Sequence, residues 1–316
     1  MEKIVVLDGY TLNPGDLSWD GISKLGELTV YDRTPSGKTV ERIGDASIVL
    51  TNKTPIDRAV MEACPDMRYI GVLATGYNII DTAAASEKGV TVTNVPAYST
   101  QSVAQLTFAL LLELCNRVGL HSDSVHAGTG NPYGDFCYYL TPQTELAGKT
   151  LGVVGFGRIG RAVAKIAMAM GMEVVYYNRR EVPGDGAKAV SFGELLKRSD
   201  VVTLHCPQTA GNLKMINAET IAKMKTGAML INDARGGLVD ERALADALIG
   251  GKLAGAAVDV LSSEPISQDN PLLTAPNCII TPHIAWASTE ARVRLMKMTE
   301  ENLKAYLAGD PVNTVV

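Results

Sequence analysis

Thr150-Leu-Gly-Val-Val-Gly155-Phe-Gly157-Arg-Ile-Gly160 is a short apolar, β-branched run that enters three glycines spaced G-x-G-x-x-G. A helical pattern follows at once (Ile159, Val163, Ile166, Met170), and Met172–Asn178 reads as the next strand. Gly155 permits a tight strand-to-helix turn, and Gly157 lets backbone approach a pyrophosphate with no Cβ in the way. Gly160 allows the helix to pack close on the strand, while the helix N-terminus turns free N–H groups toward the anion. Strand before and helix after raise the motif above a chance run of glycines. The stretch Gly155, Phe156, Gly157, Arg158, Ile159, Gly160 is therefore expected to hold a dinucleotide.

Length and composition bound the rest. A chain of 316 residues, 46% of them hydrophobic, suggests about two domains with a sizeable core. A net charge of −5 lacks the basic face that nucleic acid requires. No apolar run is long enough to predict a membrane span, and Met1-Glu-Lys-Ile-Val-Val-Leu-Asp8 leads straight into a strand. Five scattered cysteines without C-x-x-C spacing favour free thiols in a reducing compartment, hence a soluble cytoplasmic protein. The four histidines show no metal-ligand spacing, so no metal is expected.

The first hundred residues alternate strand and helix. Lys3–Asp8, Leu28–Tyr31, Ser47–Leu50, Tyr69–Leu73 and Val90–Thr93 read as strands, Ile56–Cys64 and Ile79–Lys88 as helices. Such alternation predicts a parallel sheet covered on both faces. Gln101–Val118 reads as a long buried helix, and 121–147 as an extended arm whose first-choice task is an oligomer contact. A second alternating unit has strands at Leu151–Val154, Glu173–Tyr177, Val201–His205, Ala228–Asn232, Gly255–Val260 and Cys278–Thr281. The helix after Thr289 is expected to return to the first domain.

Three polar residues follow three strands of that second unit: Arg235, Glu264 and His283. Residues just past the carboxyl ends of strands in an open α/β sheet converge on the ligand crevice. A guanidinium can grip a carboxylate and polarise a carbonyl. An imidazole can give a proton to the oxygen as hydride arrives, and an adjacent carboxylate would favour its charged form. Each residue alone has an ordinary alternative: a surface ion pair for Arg235, a turn position before Pro265 for Glu264, a hydrogen-bonded loop site for His283. Their shared placement favours interconversion of a carbonyl and an alcohol beside a nicotinamide.

At these residues the chain resembles the D-isomer-specific 2-hydroxyacid dehydrogenases, over nearly its full length. The resemblance rests on Leu151–Gly160, His205-Cys206-Pro207, Ile231–Glu241, Ala256–Val260 with Glu264-Pro265, and Asn277–His283. It implies an α/β fold of two doubly wound parallel-sheet domains, a Rossmann cofactor domain (99–284) inserted in a flavodoxin-like substrate domain (1–98 and 285–316). It implies that Arg235, Glu264 and His283 are catalytic, and that hydride adds to the face giving the D hydroxyacid. By the same resemblance Gly71–Asp81 supplies a substrate-carboxylate loop (Thr75, Gly76, Tyr77) facing the carboxylate opposite Arg235. Lys53, beyond another strand end, is a further substrate-side candidate against the default of an exposed lysine. His205, Cys206, Pro207, Ala234 and Asp259 are implied on the cofactor side, and a homodimer is implied.

Asn178, eighteen residues past Gly160, stands where an acidic residue would bond a ribose 2′-OH, and Arg179 and Arg180 follow. A neutral amide removes repulsion toward a 2′-phosphate that two guanidiniums can clasp, so among NAD(P)(H) forms NADP(H) is favoured. Leu25–Pro35 and His283-Ile-Ala-Trp286-Ala-Ser288 place the resemblance nearest the glycerate dehydrogenase branch, which acts on hydroxypyruvate and less well on glyoxylate. Another D-2-hydroxy acid such as D-lactate, or a cofactor-sensing corepressor on the same fold, are the alternatives. A formate dehydrogenase would carry glutamine where this chain has Glu264.

Overall fold

A computed structural model describes residues 1–180 and 182–316. The chain forms two compact units, one from 1–99 with 287–316 and one from 100–286. The divisions fall one and two residues beyond the expected 98 and 284.

In the first unit, apolar runs with buried residues on both faces become parallel strands, as a sheet covered by helices demands, except at the edge strand Glu27–Val30, which is largely exposed. The elements are β1 (Lys3–Val6), α1 (Asp20–Ser23), β2 (Glu27–Val30), α2 (Thr39–Ile43), β3 (Ile48–Thr51), α3 (Arg58–Ala63), β4 (Tyr69–Val72), α4 (Thr82–Glu87) and β5 (Thr91–Thr93). Strand order is β2-β1-β3-β4-β5, all parallel, the flavodoxin-like winding. α1 and α2, four and five residues long, are additions to the expected helices. They are too short to show a helical period.

The second unit runs α5 (Thr100–Asn116), α6 (Val118–Ala127), β6 (Thr150–Val154), α7 (Arg158–Ala169), β7 (Glu173–Tyr177), β8 (Lys188–Ala189), α8 (Phe192–Arg198), β9 (Val201–Leu204), α9 (Ala218–Lys223), β10 (Ala228–Asn232), α10 (Glu241–Ile249), β11 (Leu253–Val258) and β12 (Cys278–Ile280). Its strand order, β12-β11-β10-β9-β6-β7-β8, reverses direction between β6 and β9 and is the Rossmann winding with one strand added. Alternate side chains serve opposite faces: Leu151, Val153, Met229 and Ile231 pack with α5 and α7, whereas Val154, Val202, Leu204 and Leu230 pack with α8 and α10. Among the described residues no single helix is long and apolar enough to cross a membrane.

The segment 121–147 departs from an unbroken arm. It begins inside α6, which starts after Arg117 takes a left-handed backbone (φ 49°) and breaks the line of α5. Only residues beyond Gly128 run irregularly up to β6.

The last helix, α11 (Thr289–Leu307), belongs to the first unit. Its Arg292 forks onto Asp16 and also donates to Leu12 O (3.0 Å). Tyr306 lays its ring 4.5 Å from that of Tyr69, which is wholly buried. The Tyr69 hydroxyl hydrogen-bonds Thr93 Oγ1 at 2.6 Å, and burial pushes the phenol up to about 12.

An unfolded tyrosine ionises near ~10, so above that pH the folded chain binds more protons than the unfolded one and stability falls as pH rises. Tyr69→Phe is expected to flatten that fall by up to about one proton between pH ~10 and ~12. Urea midpoints measured across this range read the slope; equal slopes in both proteins would show that Tyr69 does not titrate from a buried state.

Candidate active site

The fingerprint turn sits at the switch between β6 and β9. Gly155 has φ +96°, and a Cβ there would lie 2.6 Å from Cys206 N and 2.7 Å from His205 C. Glycine is required twice over, by conformation and by the loop after β9. Gly160, in the first turn of α7, is buried, and a Cβ there would meet Gly155 O at 2.2 Å. Nothing lies within 4 Å of the Cβ position of Gly157, which is exposed.

Among the described residues, six of the eleven α-helices close their first turn with a side chain: Asp57, Asp81, Ser191, Asn217, Asp240 and Ser288 cap α3, α4, α8, α9, α10 and α11. α7 begins at Gly157 with no side-chain cap and no acidic residue in its first turn. Its leading N–H groups and their partial positive charge are left for an anion, so the cradle fits a dinucleotide pyrophosphate. Phe156 turns inward and stacks on Tyr176 at 4.0 Å, while Arg158 is exposed and Ile159 half-buried. Asn178 Oδ1 accepts from Phe156 N (3.2 Å) and its Nδ2 donates to Arg180 O (2.8 Å), which shapes the loop bearing the exposed Arg179 and Arg180.

Glu264 and His283 come together. His283 Nδ1 stands 2.6 Å from Glu264 Oε2, with Glu264 Oε1 accepting from Leu261 N (3.2 Å). His283 has a left-handed backbone (φ 56°), unusual for a residue with a Cβ, and the neighbouring contacts enforce it. Asp259, 1% exposed, accepts from Thr281 Oγ1 (2.6 Å), Ile284 N (2.9 Å) and Ala285 N (2.8 Å), so its carboxylate brackets His283. Burial holds that carboxyl above its ordinary range, although the three donors pull it down. Ser102 of α5 donates to Ala285 O (2.6 Å) from the other side.

Arg235 leaves β10 through a loop pinned by Asn232, whose Nδ2 donates to Arg235 O (2.9 Å) and whose Oδ1 accepts from Ala234 N (3.2 Å). The exposed guanidinium donates to Ala234 O (2.7 Å), and among the described residues no carboxylate pairs with it. Gly236 ties this loop to that of Glu264: a Cβ there would lie 1.9 Å from Leu261 C. Glu241 holds the same turn, accepting from Ser262 N (2.7 Å), Ser262 Oγ (2.8 Å) and Asn270 Nδ2 (2.9 Å).

His205 sends its ring inward, with only 1% of the side chain exposed, so its backbone and that of Cys206 are what face Gly155. Cys206 is half-buried and Pro207 exposed, its carbonyl accepting from Asn212 Nδ2. In the first unit, Thr75 Oγ1 donates to Val95 O (2.8 Å), Tyr77 is 41% exposed, and Gly76 lies between them. Lys53 is exposed, and its backbone N–H is one of three (with Asn52 and Thr54) that converge on the buried Asp8 carboxylate. Asn232, Gly236, Glu241 and Asp8 were not singled out by sequence reading. The partners of Gly236, Glu241 and Asp8 are distant in sequence, and only the membership of Asn232, Gly236 and Glu241 in the Ile231–Glu241 stretch gave any signal.

Residues 108–285 match the family described as D-isomer specific 2-hydroxyacid dehydrogenase, NAD binding domain. The chain belongs to that dehydrogenase family. It is 52% identical over 319 residues to the hydroxypyruvate reductase of Blautia hydrogenotrophica, covering 99% of both chains. It is 42% identical to the glycerate dehydrogenase of Methylorubrum extorquens, again across 99% of each. A solved D-lactate dehydrogenase from Aquifex aeolicus, complexed with NAD and lactic acid, superposes with a TM-score of 0.84 at 31% identity, covering 98% of this chain and 96% of that one. As in the rest of the family, the protein is an oxidoreductase with an NAD-binding domain.

Gly236→Ala should displace Leu261 and with it Glu264. The expected result is loss of most activity together with a destabilisation of about 1–3 kcal/mol, the usual cost of overpacking. Activity assays and thermal melts check it; a variant with wild-type turnover would show that the Glu264 turn does not depend on this close approach.

Proposed function

We propose that this enzyme reduces hydroxypyruvate to D-glycerate, with glyoxylate as a poorer substrate. The observation that carries the reading is the 2.6 Å His283–Glu264 contact. With Nδ1 committed to a carboxylate, Nε2 is the ring nitrogen that exchanges a proton with a ligand. A bound nicotinamide supplies the hydride. Gly155, Phe156, Gly157, Arg158, Ile159 and Gly160 would hold its pyrophosphate, with Asn178, Arg179, Arg180, the His205–Pro207 backbone, Ala234 and Asp259 around the remainder.

In this reading Arg235 binds the substrate carboxylate and polarises the C2 carbonyl. His283 protonates the carbonyl oxygen as C2 receives hydride, and takes that proton back in the reverse direction. Glu264 orients the ring and stabilises its charged form. Thr75, Gly76 and Tyr77 bind the substrate carboxylate through backbone N–H groups, and Lys53 is a substrate-side cation. Arg179 and Arg180, with neutral Asn178 before them, favour NADP(H) over NAD(H). The five free thiols accord with a cytoplasmic enzyme.

A panel of 2-oxo acids assayed with NADH and NADPH tests the reading. Hydroxypyruvate should give the highest kcat/KM, with NADPH preferred. Pyruvate or a bulky 2-oxo acid turning over faster would sink the substrate assignment, and a strong NADH preference the cofactor one. His283→Ala should bind cofactor normally and lose on the order of 10²–10⁴ in kcat, the usual contribution of a positioned acid–base group.

The enzyme is further read as a homodimer through the second unit. Val118 and Val125 of α6, with Tyr133, Phe136 and Tyr139 of the arm, are largely exposed, Phe136 completely. Such a run of apolar and aromatic side chains is what an isologous contact buries. Light scattering should give twice the chain mass for the wild type and a single-chain mass for Phe136→Asp with Tyr139→Asp; a monomeric wild type would refute the dimer.

A further inference from the structure

Asp233 and His205 form a buried pair that no step of the proposed reaction uses. The Asp233 side chain is 0% and the His205 side chain 1% exposed, with Asp233 Oδ1 3.2 Å from His205 Nδ1. The two atoms are within ion-pair reach but off line for a hydrogen bond, and neither has another hydrogen-bonding partner. His205 Nε2 meets Thr203 Oγ1 at 2.9 Å, and Asp233 Oδ2 accepts from Thr107 Oγ1 of α5. Burying an acid and an imidazole together is costly unless their geometry is maintained, and removing one leaves the other stranded. An arrangement this unforgiving holds its backbone in place.

The backbones it holds matter. His205 N donates to Val154 O (2.7 Å), at the end of β6, and the His205–Cys206 peptide is the surface on which Gly155 packs. Asp233 lies two residues before Arg235 in the loop that leaves β10. The ring and carboxylate thus bridge the ends of β9 and β10, on either side of which stand the fingerprint turn and the Arg235 loop.

We infer that Asp233 and His205 are positioning residues that fix the loop bearing Arg235 against the glycine turn. Their effect on catalysis passes through Arg235 and so rests on the reductase reading above. The conservative variant Asp233→Asn keeps an acceptor for Thr107 and a polar atom for His205. Likewise His205→Asn keeps a polar atom near the position of Nδ1.

The test compares Asp233→Ala, His205→Ala and these two conservative variants by hydroxypyruvate kinetics, NADPH titration, thermal melts and amide hydrogen exchange. Asp233→Ala should lower kcat roughly ten- to hundredfold, as small misplacements of a substrate-gripping group do, with little change in NADPH affinity; His205→Ala should lower kcat as much and also weaken NADPH binding, since its backbone backs the glycine turn. The peptide spanning 231–238 should exchange faster, ahead of global unfolding. The double alanine variant should be no worse than either single one, and Asp233→Ala should cost little more in an Arg235→Lys background. Asp233→Asn and His205→Asn should restore kcat and protection. Wild-type kcat and protection in the alanine variants, or full additivity with Arg235→Lys, would overturn the inference. Should the alanine variants fail to fold, the asparagine variants decide: protection lost from 231–238 in both while they melt like wild type overturns it. A wild type that reduces no 2-oxo acid would defeat the reductase reading, leaving the exchange arm to judge the positioning pair.

Discussion

The second unit is organised by one close approach: Gly155 against the His205–Cys206 peptide, at the point where strand order reverses. A Cβ at 2.6 Å from a backbone nitrogen cannot be accommodated by rotating a side chain, because backbone is what it strikes. The β6 turn and the β9 loop can share the switch point only if that position carries none. From this follow the uncapped start of α7, the open space at Gly157, and a crevice floor made of main chain. Main chain offers N–H groups with no side chain to compete for them, as an anionic ligand requires.

Around this crevice the polar interior of the unit is concentrated at one end of its sheet. Asn232, Asp233, Asp259 and the His205 ring are buried at the carboxyl ends of β9, β10 and β11, while Leu230, Ile231 and Val202 just upstream belong to the apolar clusters on the two faces of the sheet. Buried polar groups cost stability unless satisfied, and once satisfied they rigidify their surroundings. Here they fix loops: Asn232 fixes the carbonyl of Arg235, Asp259 the N–H groups after His283, Glu241 the turn before Glu264. The left-handed conformation of His283 is the clearest case of strain held in place by such contacts.

Legibility in the sequence divides along the same line. Strands were readable because parallel strands buried on both faces are continuous apolar runs, and the fingerprint because its turn can be built from few residues. Glu264 and His283 were readable as strand-end residues of complementary chemistry. α6 was not: only Ser124 of its ten residues is buried, so no apolar stripe marks it as helical. Nor were Asp233, Glu241 and Gly236 readable as supports. The contacts through which each acts lie tens of residues away (His205 for Asp233, Ser262 for Glu241, Leu261 for Gly236), and an acid or glycine in a loop has many ordinary uses. Asp259 was read from the resemblance as a cofactor-side residue; its support of the His283 loop, through donors 22 to 26 residues away, carried no signal in the sequence.

The buried pair adds a constraint of proton counting. Thr107 has one hydroxyl proton and two acceptors in reach, Val103 O at 2.8 Å and Asp233 Oδ2. With the proton given to Asp233, the Val103 carbonyl keeps only its ordinary backbone donor. Thr203, across the ring, likewise has one proton to share with His205 Nε2. Each half of the pair is thus tied to a threonine, Asp233 to Thr107 of α5 and His205 to Thr203 of β9, and the close approach of ring and carboxylate brings the two halves together. Such coupling suits residues whose work is to hold three elements in register, and it explains why a titratable pair can sit in the interior of a catalytic domain without taking part in the reaction.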